Sequence, residues 1–78
     1  MNNTLNESKG KRVVVTEELA YGKAAITRQH EGLLLWADGH LVAVEVDKLT
    51  INSNNFEEGT RKTVFNSLAP SFISIEFL

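Results

Sequence analysis

Two histidines, two pairs of adjacent glutamates, a cluster of cations and a single tryptophan are the residues of this 78-residue chain whose types and spacing could do chemistry. His30 and His40 invite a metal reading. They fall at opposite ends of one expected hairpin, where a strand of about five residues puts them roughly 15 Å or more apart. Two ligands of one Zn²⁺ each lie about 2 Å from the metal, so one chain offers no shared ion. Both histidines are expected at loop edges on the surface, and no metal or other cofactor is expected.

Glu17-Glu18 and Glu57-Glu58 are adjacent carboxylates. In a strand such neighbours point to opposite faces, and in a helix they diverge by about 100 degrees, so neither pair converges on a common substrate. No serine sits in a nucleophile-elbow context, and there is no cysteine to act as nucleophile, thiolate ligand or disulfide partner. Gly10-Lys11-Arg12 and Gly22-Lys23-Ala24 lack the spaced first glycine and the Ser/Thr of a phosphate loop. The expectation is a protein without catalytic activity.

Lys9, Lys11 and Arg12 beside Trp36 would suit a single-stranded nucleic acid, where cations track the backbone and an aromatic ring stacks on bases. Against this stands a net charge of −2, from ten acidic and eight basic residues. Glu17, Glu18, Glu31 and Glu45 dilute any positive field. Nucleic-acid binding is therefore the alternative reading.

The elements that must position these residues centre on Gly32–Val46, GLLLWADGHLVAVEV, an apolar stretch with a turn in its middle. Asp38-Gly39 suits a two-residue loop in which both central residues take positive φ. That loop pairs Ala37 with His40, Trp36 with Leu41, Leu35 with Val42, Leu34 with Ala43 and Leu33 with Val44. Before it, Lys11–Thr16 reads as a strand because three consecutive valines fit a pleated surface. Glu17–Gly22 is either a helical turn or a wide connection. Lys23–Gln29 reads as a second strand. His30-Glu31-Gly32 is expected to be a three-residue turn with Gly32 in a left-handed conformation.

Leu41–Val46 is the next strand, with Val42, Val44 and Val46 on its core face, and Leu49 and Ile51 keep a period of two beyond it. Ser53-Asn54-Asn55 are good helix caps, and Glu57 and Glu58 would suit a first helical turn. A helix over about 56–68 follows, with Thr60, Val64, Phe65 and Leu68 as its stripe, ended by Ala69-Pro70. Ser71–Leu78 alternates as a closing strand.

The expected fold is a β-rich α+β domain over 11–78: an antiparallel meander of about four strands, one helix and a C-terminal strand, behind a flexible tail over 1–10. A small five-stranded β-barrel is the alternative. Hydrophobic residues make up 42% and charged residues 23% of the chain, ordinary values for a globular domain. The longest apolar run, Leu33–Ala37, is far short of the roughly 20 residues that span a bilayer. With no apolar leader after the basic N-terminal residues, a cytoplasmic location is expected.

Both faces of the hairpin are apolar, whereas a sheet with one solvated face alternates with polar residues. Trp36, Leu34 and Leu41 are expected to share the face opposite the valines, with Arg28 beside them, and to meet a protein partner or another copy of the chain. The expected function is a non-catalytic protein-interaction module, an adaptor, regulator or inhibitor. It would act through that face or an open strand edge, as a homo-oligomer or on a larger partner.

Overall fold

Three β-branched residues in a row begin a strand that runs well past Thr16. In a computed structural model describing residues 9–56 and 59–78, without the Tyr21 side chain, β1 covers Arg12–Tyr21. β2 is Ala24–Asp38, β3 Leu41–Ile51, β4 Asn54–Phe56, β5 Arg61–Asn66 and β6 Phe72–Phe77. All pairings are antiparallel, in the order β4-β3-β2-β1-β6, with β5 beside β4 along the same edge of β3. The protein is a small all-β sheet domain. Among the described residues it contains no helix, and β5 and β6 leave the sheet unclosed.

β2 decides the shape. Fifteen residues at about 3.3 Å each would reach roughly 50 Å, yet the longest dimension of the domain is 38 Å. The strand must bend, and the connection between β5 and β6 demands the same. Asn66 lies beside Leu41, level with Asp38, whereas Phe72 lies beside Glu17, level with Arg28. In a flat sheet these ends would be roughly 38 Å apart, but six residue steps reach about 21 Å. Curling brings the edges near enough to connect.

Gly32 marks the bend. A Cβ there would lie 2.7 Å from the Glu45 carbonyl carbon and 2.8 Å from the Val46 Cα, both backbone atoms of β3. Only glycine permits that approach. Beside it the pairing shifts by one residue at Asp47 of β3, and it shifts again at Leu35 of β2. Such bulges bend and twist a strand locally.

The curled inner face holds the core: Val13 and Val15 of β1, Leu34 and Ala37 of β2, Val42, Val44 and Val46 of β3, and Phe65 of β5. Phe72 and Ile75 of β6 pack against it.

Several expectations are corrected. The hairpin loop is Gly39-His40, with Asp38 opposite Leu41, Ala37 opposite Val42 and Leu34 opposite Val44. Only Gly39 takes positive φ there (58°), the pattern of a loop with glycine in its first position. His30-Glu31-Gly32 forms no turn and lies within β2. Glu17–Tyr21 continues β1 instead of starting a helical turn.

The helix over 56–68 is replaced by part of β4 and by β5, with Glu57 and Glu58 outside the described residues. Asn52 and Ser53 take φ of 49° and 72°, a tight turn that sends the chain back along β3 before any helix can start. Asn52 also ties this turn to β2. Its backbone N–H donates to the Thr27 carbonyl, and its side-chain oxygen accepts from the Thr27 N–H, both at 2.9 Å. Beyond it, Thr63 and Phe65 alternate with Lys62, Val64 and Asn66, and the strand period lays Phe65 over the core. Of the expected tail, Gly10 donates its N–H to the Leu34 carbonyl of β2, and the Leu34 N–H donates to the Lys11 carbonyl just before β1.

Candidate interaction surface

The bulge at Leu35 separates residues that uninterrupted alternation would keep together. Upstream, His30, Gly32 and Leu34 face inward; downstream, Ala37 does. Leu34 is therefore fully buried in the core, while Trp36 points to the outer face at 37% exposure. The grouping of Leu34 with Trp36 fails for that reason. Trp36 and Leu41 do share the outer face, where Trp36, Ala43 and Val64 form a row across β2, β3 and β5. Ala43 is buried within this row, whereas Leu41 and Val64 are exposed.

Arg28 lies elsewhere. It shares the inner face with His30, opposite Glu17 of β1 and Ile51 of β3, and its Nε is buried without a hydrogen-bond partner. The side chain that faces outward with Trp36 is Arg12, but its guanidinium is occupied. It donates to both Asp47 carboxylate oxygens at 2.8 and 2.9 Å and to Glu31 Oε2 at 2.8 Å. These bonds hold the Asp47 carboxyl below its usual range and keep Arg12 charged. One cation between two carboxylates tethers β1 to β2 and to the β3 bulge, and offers little to a phosphate. Lys9 and Lys11 are exposed beside it.

His30 is not a loop-edge residue. It is buried within β2, its Nε2 2.8 Å from Glu17 Oε1 and its ring 4.9 Å from the Phe65 ring. An ionised carboxylate only accepts, so Nε2 carries the proton. Burial lowers the imidazole pKa from 6.5 more than Glu17 raises it, and Arg28 and Arg61 add to the lowering. His40 is exposed in the hairpin loop. Among the described residues no three His, Asp or Glu side chains cluster as metal ligands, and no helix is long and apolar enough to cross a membrane. A hollow lined by Leu49, Phe56 and Arg61 has a volume of about 10 Å³, room for a single water.

None of the expected site residues falls on the last strand. β6 pairs with β1 along one side, and among the described residues nothing pairs with its other side. Ile73 is the extra residue of a bulge opposite Thr16 and Glu17 and is 56% exposed; Phe77 is 45% and Leu78 72% exposed. The signal was the apolar composition of SFISIEFL itself, which carries one charge, at Glu76. Isolated edge strands usually carry lysine, proline or strong twist to deter pairing.

No protein-family model, no curated protein and no solved structure matches this chain.

Proposed function

We propose that the protein is a non-catalytic interaction module that binds a macromolecular partner, or further copies of itself, by strand addition. The observation that carries this reading is the outer edge of β6, which has no pairing strand among the described residues, with Ile73, Phe77 and the following Leu78 in water. An incoming strand satisfies the open row of N–H and C=O groups, while its side chains cover these three. The outer row of Trp36, Leu41 and Val64 is a second apolar surface, near the β5 edge. Adaptor, regulator and inhibitor roles all operate in this way, by occupying a surface.

The single-stranded nucleic-acid reading has weaker support, since Arg12 is engaged by Glu31 and Asp47. Binding that weakened steeply with salt would favour it.

The test compares the wild-type chain with Phe77→Lys, which places a charge on the edge at an already exposed position. The wild type is expected to capture a protein from extract of its own cell, or itself, in fixed stoichiometry, and the variant to lose it. Equal capture by both chains, or capture by neither, overturns the reading.

A further inference from the structure

The hydrogen bonds between β1 and β6 show which residues of β6 can bond outward. The Leu78 N–H donates to the Arg12 carbonyl at 3.1 Å, so Leu78 and Arg12 form a bonded pair. Bonded and unbonded pairs alternate along an antiparallel ladder, and the register sets Phe77 against Val13, Glu76 against Val14 and Ile75 against Val15. Glu76 therefore turns its backbone N–H and C=O toward β1, while Ile75 and Phe77 turn theirs away. Those four groups are the open edge of the regular strand. β5 does not lie along it. Ala69 joins the end of β5 to the start of β6, donating its N–H to the Asn66 carbonyl and accepting from the Phe72 N–H, both at 3.0 Å. The two strands run the same way, so β6 begins where β5 stops and runs on past it.

Two copies of this edge related by a two-fold axis normal to the sheet pair antiparallel with like faces on one side, which leaves only the register to be set. An axis through Ile75 puts Phe77 opposite Ile73, the bulge residue. An axis through Phe77 leaves Ile75 with no described residue opposite it. An axis through Glu76 puts Ile75 opposite Phe77 of the second copy, twice, and bonds all four open groups of each edge.

We infer that the protein forms a two-fold dimer in which the β6 edges of two copies pair about an axis at Glu76, joining two sheets into one. This rests on the interaction reading above and names its partner as a second copy. On the inner face, Ile75, which packs against the core, meets the exposed Phe77 of the other copy, and the two cores become continuous across the axis. On the outer face Ser74 opposes Leu78, and Glu76 opposes its own equivalent. Both carboxylates are exposed, so water and salt weaken their repulsion. The same patch serves both copies, so assembly stops at two.

Read by light scattering against the 8.7 kDa protomer, the full chain is expected to be a concentration-dependent dimer. Glu76→Gln removes the opposed charges at an exposed position and should tighten the dimer about two- to fivefold; raised salt should tighten the wild type in the same direction. Glu76→Lys opposes two cations, and its mixture with the wild type should give a mixed dimer tighter than either parent. A Glu76→Gln protein that stays monomeric at high concentration, an assembly larger than a dimer, or a mixture with no preference for the mixed dimer overturns the inference.

The chain has no cysteine, so one introduced thiol reports the axis. Opposed residues of an unbonded antiparallel pair lie about 4.5 Å apart at Cα, within disulfide range. Position 74 is offset from its own equivalent by four residues in this register, about 13 Å along the strand. Oxidised Glu76→Cys should therefore become a covalent dimer well ahead of Ser74→Cys, with circular dichroism confirming the fold of both. Equal rates, or faster linkage of Ser74→Cys, overturn the inference. A monomeric protein that still captures another protein through Phe77 fails this inference alone; one that captures nothing fails the interaction reading as well.

Discussion

The middle of β2 and the strand β6 are both apolar β-structure, but they are held in opposite ways. Around Gly32 the chain has strands on both sides, a β3 backbone too close for any side chain, and fully buried Val13, Val15, Leu34 and Val44 nearby. Among the described residues β6 has one neighbour, and Ile73 and Phe77 lie in water. The same residue types thus serve different ends. At the centre they specify one curled backbone, while at the rim they leave hydrogen-bonding groups and hydrophobic area for something outside the protomer.

Gly32→Ala breaks the centre most severely. The added methyl meets backbone atoms of Glu45 and Val46 that cannot swing aside, and a cost above about 3 kcal/mol is expected. Small domains hold only about 5–15 kcal/mol in total, so the variant should lose a large share of its stability, read as a much lower denaturant midpoint and melting temperature by circular dichroism. Gly39→Ala is the control, because its positive φ of 58° strains alanine while the surrounding space is open. Its expected cost is about 1–2 kcal/mol. Equal losses at the two glycines would show that close approach is not what Gly32 provides.

Matched truncations sharpen the contrast. Leu34→Ala empties a fully buried site and should cost about 2–5 kcal/mol in denaturant unfolding. Ile73→Ala removes a side chain that is 56% exposed; its effect on protomer stability should stay within about 0.5 kcal/mol. In Ile73→Ala the larger change is expected in capture of the partner proposed for the β6 edge.

Much of the centre was legible in sequence. The run of valines read as a strand from its β-branching, the alternation of Leu41–Val46 and of the apolar C-terminus followed the two-residue period, and all became strands. The bulges were not legible, because an extra residue leaves no mark in composition, and one at Leu35 moves Leu34 from the Trp36 face into the core. The helix over 56–68 was favoured by local caps and a stripe at Val64 and Leu68. It lost to the open edge of β3, where a strand both pairs the backbone and buries Phe65. Of the residues chosen as a site, Trp36 and Leu41 lie together on the surface as expected, and Arg28 lies on the inner face.

Acid tests the inner face where it becomes polar. Burial against Phe65 lowers the His30 pKa below 6.5, so the unfolded chain takes up a proton that the folded chain resists. The contribution is complete above about pH 6.5 and is lost as pH falls toward the depressed folded value. Wild-type melting temperature should drop between pH 7 and pH 5. His30→Gln, which can still donate to Glu17, should melt lower at pH 7 but lose less over that interval. An unchanged slope in the variant would assign the acid sensitivity to another group.

A small effect is also expected at the Arg12 cluster, where β1, β2 and the β3 bulge are tied together on the outer face. Arg12 is 41% exposed and its partners Glu31 and Asp47 are 26% and 38% exposed at the side chain, so solvent screens the attraction. Arg12→Lys keeps the charge but loses the fork that grips both Asp47 oxygens. The expected cost is under about 1 kcal/mol, at most about 4–8 °C in melting temperature for a domain of this size. About 1 M salt should shrink the difference between wild type and variant, because the Debye length there is about 3 Å. Asp47 adds an acid limb of opposite origin to that of His30. Arg12 lowers its folded pKa below 3.8, so its contribution is present above the ordinary carboxylate range and disappears as pH falls through the lowered value. If Arg12→Lys proved as costly as Leu34→Ala, the β3 bulge at Asp47 would depend on the guanidinium rather than on Gly32, and the curl of the sheet would be set by its outer face.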